Sequence, residues 1–292
     1  MKPSKVLLLA KWAECLGFNS LGLLIYRIIY RNEWIRVINY HSTPEIHMYQ
    51  FEEQIKYENY CSVSKQDLWD LLESRWSKDK PGLIISFDDG LESNYLCAKP
   101  ILEKYGFIGW FFIPAGLIET GYCQKSDLTG SSSERYMSWT QVRDLHAHHV
   151  VGCHTLTHKR LGSDLSDTQL SREIEDSKLL LEEELGDEMD IFCWVGGEFT
   201  SYSKRAAEAI KEAGYCLSFL TNHYPVTKRS NPLLLERTNV EANWPISLVR
   251  FYTSALMDLK YWRKRREVRK IIDIGTVPDC HAKIGNSSSL KA

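Results

Sequence analysis

Apolar residues recur along this chain with two periods. Short apolar runs at 34–40, 83–87, 107–113, 150–153, 191–195 and 215–220 read as buried strands, and 233–240 as one more. Between them, residues 51–60, 67–76, 98–105, 138–148, 167–185 and 202–213 carry helical spacing; in 67–76 the core face is Leu68, Leu71 and Leu72. Gly106, Gly186 and Gly214 stand where three of these helices should end, and Ser166 or Asp167 where the longest should begin. Two further helical stretches flank this series. In residues 4–35, Ser20 is the expected cap of a helix whose face Leu21, Leu24, Ile25, Ile28 and Ile29 should pack on the main domain. Residues 246–272 are mostly helical. Strand and helix alternate six or seven times, which predicts an α/β fold of parallel strands joined by right-handed crossovers. Residues 116–135 interrupt the pattern as a polar loop, with Ser131, Ser132 and Ser133 its least structured point.

Composition narrows the class. The 292 residues are 43% hydrophobic and 25% charged, enough apolar mass for a sizeable core. The formal charge of −2 gives no sign of a nucleic-acid partner. Eight cysteines show no CxxC spacing, which argues against a zinc knuckle; Cys153, Cys193 and Cys216 lie in apolar runs, as reduced thiols do. Residues 6–10 are too short for a secretory core and no run approaches the ~18 apolar residues of a membrane span, so a cytoplasmic location is expected. Seven of the residues from Lys260 to Lys270 are basic and only Glu267 is acidic. This segment should be a solvated helix face, with peripheral contact to an anionic membrane as the alternative.

The candidate chemistry sits at strand ends. Asp88 and Asp89 directly follow the run 83–87 and precede Gly90. Adjacent residues there point in different directions, so one carboxylate can hold a metal while the other moves a proton. His154 and His158 follow the run 150–153; in a helical turn their i, i+4 spacing would put both rings on one side. Two histidines and one carboxylate form a recognised catalytic zinc set, and the spare aspartate is then a ready general base.

These residues match a family. Ser-Phe-Asp-Asp-Gly at 86–90, His-Thr-Leu-Thr-His at 154–158 and a strand ending in Gly-Gly-Glu at 196–198 resemble the polysaccharide deacetylases (carbohydrate esterase family 4, the NodB-homology enzymes) over roughly residues 36–245. The resemblance implies a distorted (β/α) barrel of about seven strands and hydrolysis of an N-acetyl group, or in some relatives an N-formyl group, on an amino sugar. It implies Asp88 as catalytic base and Asp89, His154 and His158 as ligands of a divalent metal, with zinc the expected ion. It further implies an oxyanion site near Gly196 and Gly197, with Glu198 near substrate. The general acid is expected at His41, because Tyr40-His41 resembles the Tyr-His motif of the permuted poly-N-acetylglucosamine deacetylase branch; His223 and His281 are rivals. One departure stands out. The family's third motif usually carries an arginine, then a proline, and these positions hold Cys193 and Val195. Arg237 is the candidate replacement. Trp110, Trp139 and Trp194 are candidates for stacking on a sugar, although a place in the core is the favoured expectation for each.

The expected organisation is a helical lead at 1–35, a catalytic domain at 36–275 and a flexible tail at 276–292. The expected substrate is a nucleotide-linked, lipid-linked or oligomeric amino sugar in surface polysaccharide or lipopolysaccharide biosynthesis. Two alternatives remain open: a sugar-binding relative without turnover, and a nucleotide-sugar glycosyltransferase, which would have no need of His154 and His158.

Overall fold

The computed structural model describes residues 3–56, 59–121 and 134–272. Seven parallel strand positions form a ring. β1 (Ile35–Tyr40) pairs with β3 (Gly82–Phe87), followed by β4 (Gly109–Ile113), β5 (Val150–Cys153), β6 (Ile191–Cys193) and β7 (Leu217–Leu220). A two-residue strand, β2 (Cys61–Ser62), pairs with the start of β3. The last strand is split: β8 (Leu235–Glu236) pairs with β7, and β9 (Thr238–Asn239) pairs with β1. Arg237 is the single residue between them, and its N–H donates to Leu220 O at 2.9 Å. The same short segment therefore bridges the first and last strands and closes the barrel.

Alternation along the strands sorts the core into two parts. Ile35, Val37, Ile84, Trp110, Phe112 and Phe219 belong to one buried cluster inside the ring, which Leu68, Trp69 and Leu71 of helix α4 (Lys65–Leu72) join. Ile38, Tyr40, Ile85, Phe87, Phe111 and Phe192 face outward into a second cluster beneath the surrounding helices. All residues of β1, β3 and β4 are buried, which is why these strands read as continuous apolar runs.

The outer helices before the last strand are α3 (Met48–Ile55), α5 (Lys99–Lys104), α6 (Trp139–His148), α7 (Asp167–Ser171), α8 (Ser177–Leu185) and α9 (Lys204–Glu212). Ser64, Ser138 and Ser166 start α4, α6 and α7 with capping boxes completed by Asp67, Gln141 and Gln169. The stretch 4–35 is two helices, α1 (Pro3–Cys15) and α2 (Phe18–Tyr30). The expected cap at Ser20 is not observed. The break falls earlier, at Gly17, whose φ of 72° supplies the left-handed turn between them. Residues 246–272 are three helices, α10 (Ile246–Tyr252), α11 (Ala255–Lys260) and α12 (Trp262–Ile271). Arg36 on β1 holds α11 through a buried bidentate pair with Asp258, at 2.9 and 2.8 Å. Cys97, Cys153 and Cys193 are buried free thiols, whereas Cys216 is disulfide-bonded, which corrects its expected reduced state. Ser131, Ser132, Ser133, His281 and the expected tail lie outside the described residues.

Candidate active site

Strand register assembles the site. Tyr40 lies opposite Phe87, so His41 and Asp88 leave adjacent strands at the same level. Ile113 lies opposite Cys153, which brings His154 to the same carboxyl end of the ring. There the structure has an open cleft of about 690 Å³ lined by His41, Asp88, His154, His158, Gly196, Gly197 and Glu198.

Asp89, His154 and His158 converge. Each offers a ligand atom, and these atoms lie within 4.8 Å of one another. His158 Nε2 stands 2.8 Å, and His154 Nε2 3.7 Å, from Asp89 Oδ1. The rings come together without the expected helical turn. Residues 154–158 form an irregular turn in which Thr155 and His158 have φ of 62° and 59°, and Asp89 has φ of 73°. Three non-glycine residues in the left-handed region mark a backbone held against its own preference at this point. His154 Nδ1 is 2.9 Å from Cys193 O. A proton on Nδ1 donated to that carbonyl leaves the Nε2 lone pair facing Asp89, the tautomer that a metal ligand requires. Burial lowers the His154 pKa to about 4, against the raising effect of Asp88, so the ring is neutral at neutral pH. The donor set thus fits a divalent metal.

A second grouping, Asp88, His154 and Cys193, is also compact, but its chemistry is different. Burial pushes the Cys193 thiol well above its ordinary pKa, so it carries its proton. Asp88 is already engaged: Arg237 Nη1 and Nη2 donate to its two carboxylate oxygens at 2.7 and 2.9 Å, and Asn39 Nδ2 donates at 2.9 Å. Arg237 also donates to Asn39 Oδ1 and Ser86 Oγ, and its guanidinium lies 5.1 Å from the Phe112 ring centre. Burial alone would raise the Asp88 pKa; the Arg237 charge, then His154, outweigh it and bring the value down to about 2.

Gly196 and Gly197 line the cleft because larger residues would not fit. Gly196 has φ of 80°, and a Cβ on Gly197 would come within 2.5 Å of Thr221 Oγ1. The Gly197 N–H donates to Glu198 Oε2, which also accepts from Ser201 Oγ at 3.1 Å and stands 3.4 Å from Arg160. His41 lines the cleft, with its carbonyl fixed by Asn94 Nδ2 at 2.9 Å.

Trp110, Trp139 and Trp194 serve the core, the expectation favoured for each over sugar stacking. Trp110 is wholly buried and donates to Val63 O; Trp194 is buried and donates to Ser218 Oγ. Trp139 opens α6, packs on the outer core and does not line the cleft. The aromatic walls are instead Trp244, Tyr252 and Tyr261, joined by Glu241 and Lys264, none of which was singled out from the sequence for the site. Trp244 sits directly before Pro245, a turn signal after the last strand that could have drawn attention to it. His223 also lines the cleft, stacked on Tyr261 at 4.0 Å. Burial lowers its pKa to about 3, which leaves it neutral and unsuited to donate a proton. The basic segment from Lys260 to Lys270 is not one solvated face. Lys264 faces the cleft, and Arg265 is buried, donating to Asn222 O, His223 O and Asp258 O.

The sequence pattern of the family described as polysaccharide deacetylase matches residues 76–217. Over that segment the chain is similar to the polysaccharide deacetylases. A Bacillus subtilis (strain 168) protein, YxkH, named as a candidate polysaccharide deacetylase, is 24% identical over 159 residues, 54% of this chain. The chain spans about half (51%) of that relative's length. Solved structures share the deacetylase fold. The Streptococcus pyogenes deacetylase PplD in complex with acetate has a TM-score of 0.61 and 21% identity, covering 76% of this chain and 98% of its own. A de-N-acetylase from Aggregatibacter actinomycetemcomitans gives 0.60 and 17%, covering 75% and 99%. IcaB from Ammonifex degensii gives 0.57 and 21%, covering 77% and 97%. The matched segment holds Asp88, Asp89, His154, His158 and Gly196–Glu198. His41, Arg237, Glu241 and Trp244 lie outside it.

Proposed function

We propose that this protein is a metal-dependent amidohydrolase that removes an N-acetyl or N-formyl group from an amino sugar in surface polysaccharide or lipopolysaccharide biosynthesis. The observation that carries this reading is the convergence of Asp89, His154 and His158 beside an Asp88 that Arg237 keeps ionised.

Asp89, His154 and His158 would hold the metal; one carboxylate and two imidazoles suit zinc. When bound, a metal there supplies Lewis acidity to the attacking water and the amide carbonyl. Asp88, ionised at every working pH, accepts the proton of the attacking water. The backbone near Gly196 would face the carbonyl oxygen as it gains negative charge, while the Gly197 N–H holds Glu198 in place beside it. His41, which leaves β1 at the level where Asp88 leaves β3 and lines the same cleft, gives a proton to the departing amine. Trp244, Tyr252 and Tyr261 offer ring faces to the sugar, and Glu198, Glu241 and Lys264 offer polar partners.

No helix among the described residues is long and apolar enough to cross a membrane. Action inside the cell on a biosynthetic intermediate belongs to this reading. The test is acetate or formate release from N-acylated amino-sugar oligomers by protein purified without chelator, before and after metal removal and re-addition. Release that stops on removal and returns on addition is the expected result. Tight metal binding with no release from any N-acyl sugar would identify a sugar-binding relative without turnover.

A further inference from the structure

Seventeen large hydrophobic side chains are exposed among the described residues, and twelve of them lie on α1, α2, the link between these two, α11 and the start of α12. These helices form one layer: α1 packs on α2 and α10, α2 on α11, and α11 on α12. The contacts use small residues. Ala10 and Ala13 of α1 are buried, and a Cβ on Gly22 of α2 would stand 3.5 Å from Ala255. The large side chains are left outside. On α2 these are Leu21, Leu24, Ile25, Ile28 and Ile29, the face expected to pack on the main domain, with Ile28 at 72% exposure. On α11, Leu259 is 74% exposed. An apolar face of this size on a protein surface marks a binding site.

Charge indicates what covers it. The same layer carries exposed Lys11, Arg27, Lys260, Arg263 and Arg266. Its acids are neutralised: Glu14 pairs with Arg250, Asp258 with Arg36, and Glu267 with Lys270. The layer is therefore cationic in a chain whose net charge is −2. A second copy docking through the same face by two-fold symmetry would set cation against cation. Apolar helix faces bordered by Lys, Arg and Trp instead complement the interface of an anionic bilayer.

We propose that α1, α2 and α11 seat the protein on an anionic lipid surface, and that the cleft serves amino sugars carried on lipid at that surface. The second half rests on the hydrolase reading above. The link between the two is structural. Tyr252 at the end of α10, Tyr261 between α11 and α12, and Lys264 on α12 line the cleft, while Leu256, Leu259 and Trp262 of the same segment are exposed. A helix is about 10 Å across, so the cleft lies about one helix width from the apolar face.

The experiment is flotation of the full chain with vesicles of phosphatidylglycerol and phosphatidylcholine, and of phosphatidylcholine alone, at low and high salt. Flotation with anionic vesicles, weakened by salt, is expected. The Ile28→Asp/Leu259→Asp variant should lose it by roughly tenfold or more while still hydrolysing a soluble N-acetylated amino-sugar oligomer. Arg263→Glu/Arg266→Glu leaves the apolar side chains in place and covers the case in which the first variant fails to fold. It should weaken binding to anionic vesicles by roughly tenfold and leave the weak binding to neutral vesicles unchanged. Absence of flotation at low salt overturns the docking proposal, as does a dimer in size-exclusion chromatography that Ile28→Asp/Leu259→Asp dissociates without any change in flotation. Flotation without hydrolysis of either soluble or lipid-linked amino sugars supports the docking half and overturns the substrate half together with the hydrolase reading.

Discussion

Arg237 and Asp88 form a two-point pair, 2.7 and 2.9 Å, with both side chains buried. The arginine comes from the last strand position, whereas the family's third motif usually supplies one from the strand that here holds Cys193. The Cys193 thiol now points at the same carboxylate, 3.7 Å from Asp88 Oδ1. The guanidinium thus reaches Asp88 from a different strand of the ring.

Removing that guanidinium should be severe. Arg237→Ala strands a buried carboxylate, a change that typically costs about 3–5 kcal/mol. Chemical denaturation should register this loss, and the acid limb of kcat/KM should move to higher pH as Asp88 loses its counter-charge. Arg237→Lys keeps the charge but not the fork, and should recover stability more than rate. An unchanged acid limb in a folded Arg237→Lys or Arg237→Ala protein would separate Arg237 from the chemistry.

Metal content should divide the two aspartates. Asp89→Asn, His154→Ala and His158→Ala are expected to lose most of the bound metal and the activity together. Asp88→Asn should keep the metal and lose rate by about 10²–10⁴-fold, the range for loss of a general base. Elemental analysis beside rate measurements checks both; metal lost from Asp88→Asn but retained in Asp89→Asn would reverse the roles.

His41→Ala should leave metal content unchanged and slow amide hydrolysis strongly. It should slow hydrolysis of an activated acetate ester much less, since a good leaving group needs little protonation. Equal losses on both substrates would point to substrate binding instead of proton donation.

Acid should destabilise the metal-free protein before its carboxylates titrate. His223 is neutral when folded, with a pKa of about 3 against an ordinary 6.5. The unfolded chain binds that proton first, so this contribution is present above pH 6.5 and declines as pH falls toward 3, by up to about 1.4 kcal/mol per pH unit. His223→Asn, which tolerates the φ of 51° found there, should reduce the loss of unfolding free energy between pH 7 and 5. An identical pH slope in the variant would show that other groups govern it.

The strand–helix alternation was legible because β1, β3 and β4 are buried on both faces and α4, α6, α7 and α9 begin at serine caps. The convergence of Asp88, Asp89, His154 and His158 was legible because Asp88 and His154 directly follow apolar runs and their partners lie within four residues of them. The i, i+4 spacing of the histidines led to a sound expectation by an unsound route: a turn with left-handed Thr155 and His158 brings the rings together, where a helix was expected. Trp110 and Trp194 lie in the core, the favoured reading, because an aromatic on a barrel strand serves packing before it serves a sugar. Glu241, Trp244, Tyr252 and Tyr261 were not found because their approach to His154 depends on how the ring closes, which no local pattern records.

The split of the last strand at Arg237 also bears on the order of folding. Asp88 and its counter-ion are 149 residues apart. Sealing a lone carboxylate inside an apolar barrel costs several kcal/mol, so the first six strands cannot pack shut around Asp88 before residue 237 arrives. A growing chain therefore stays open at the site until its last strand emerges. That strand then joins β7 to β1 and neutralises the carboxylate in a single docking event, so that only a completed barrel can hold a charged and oriented Asp88.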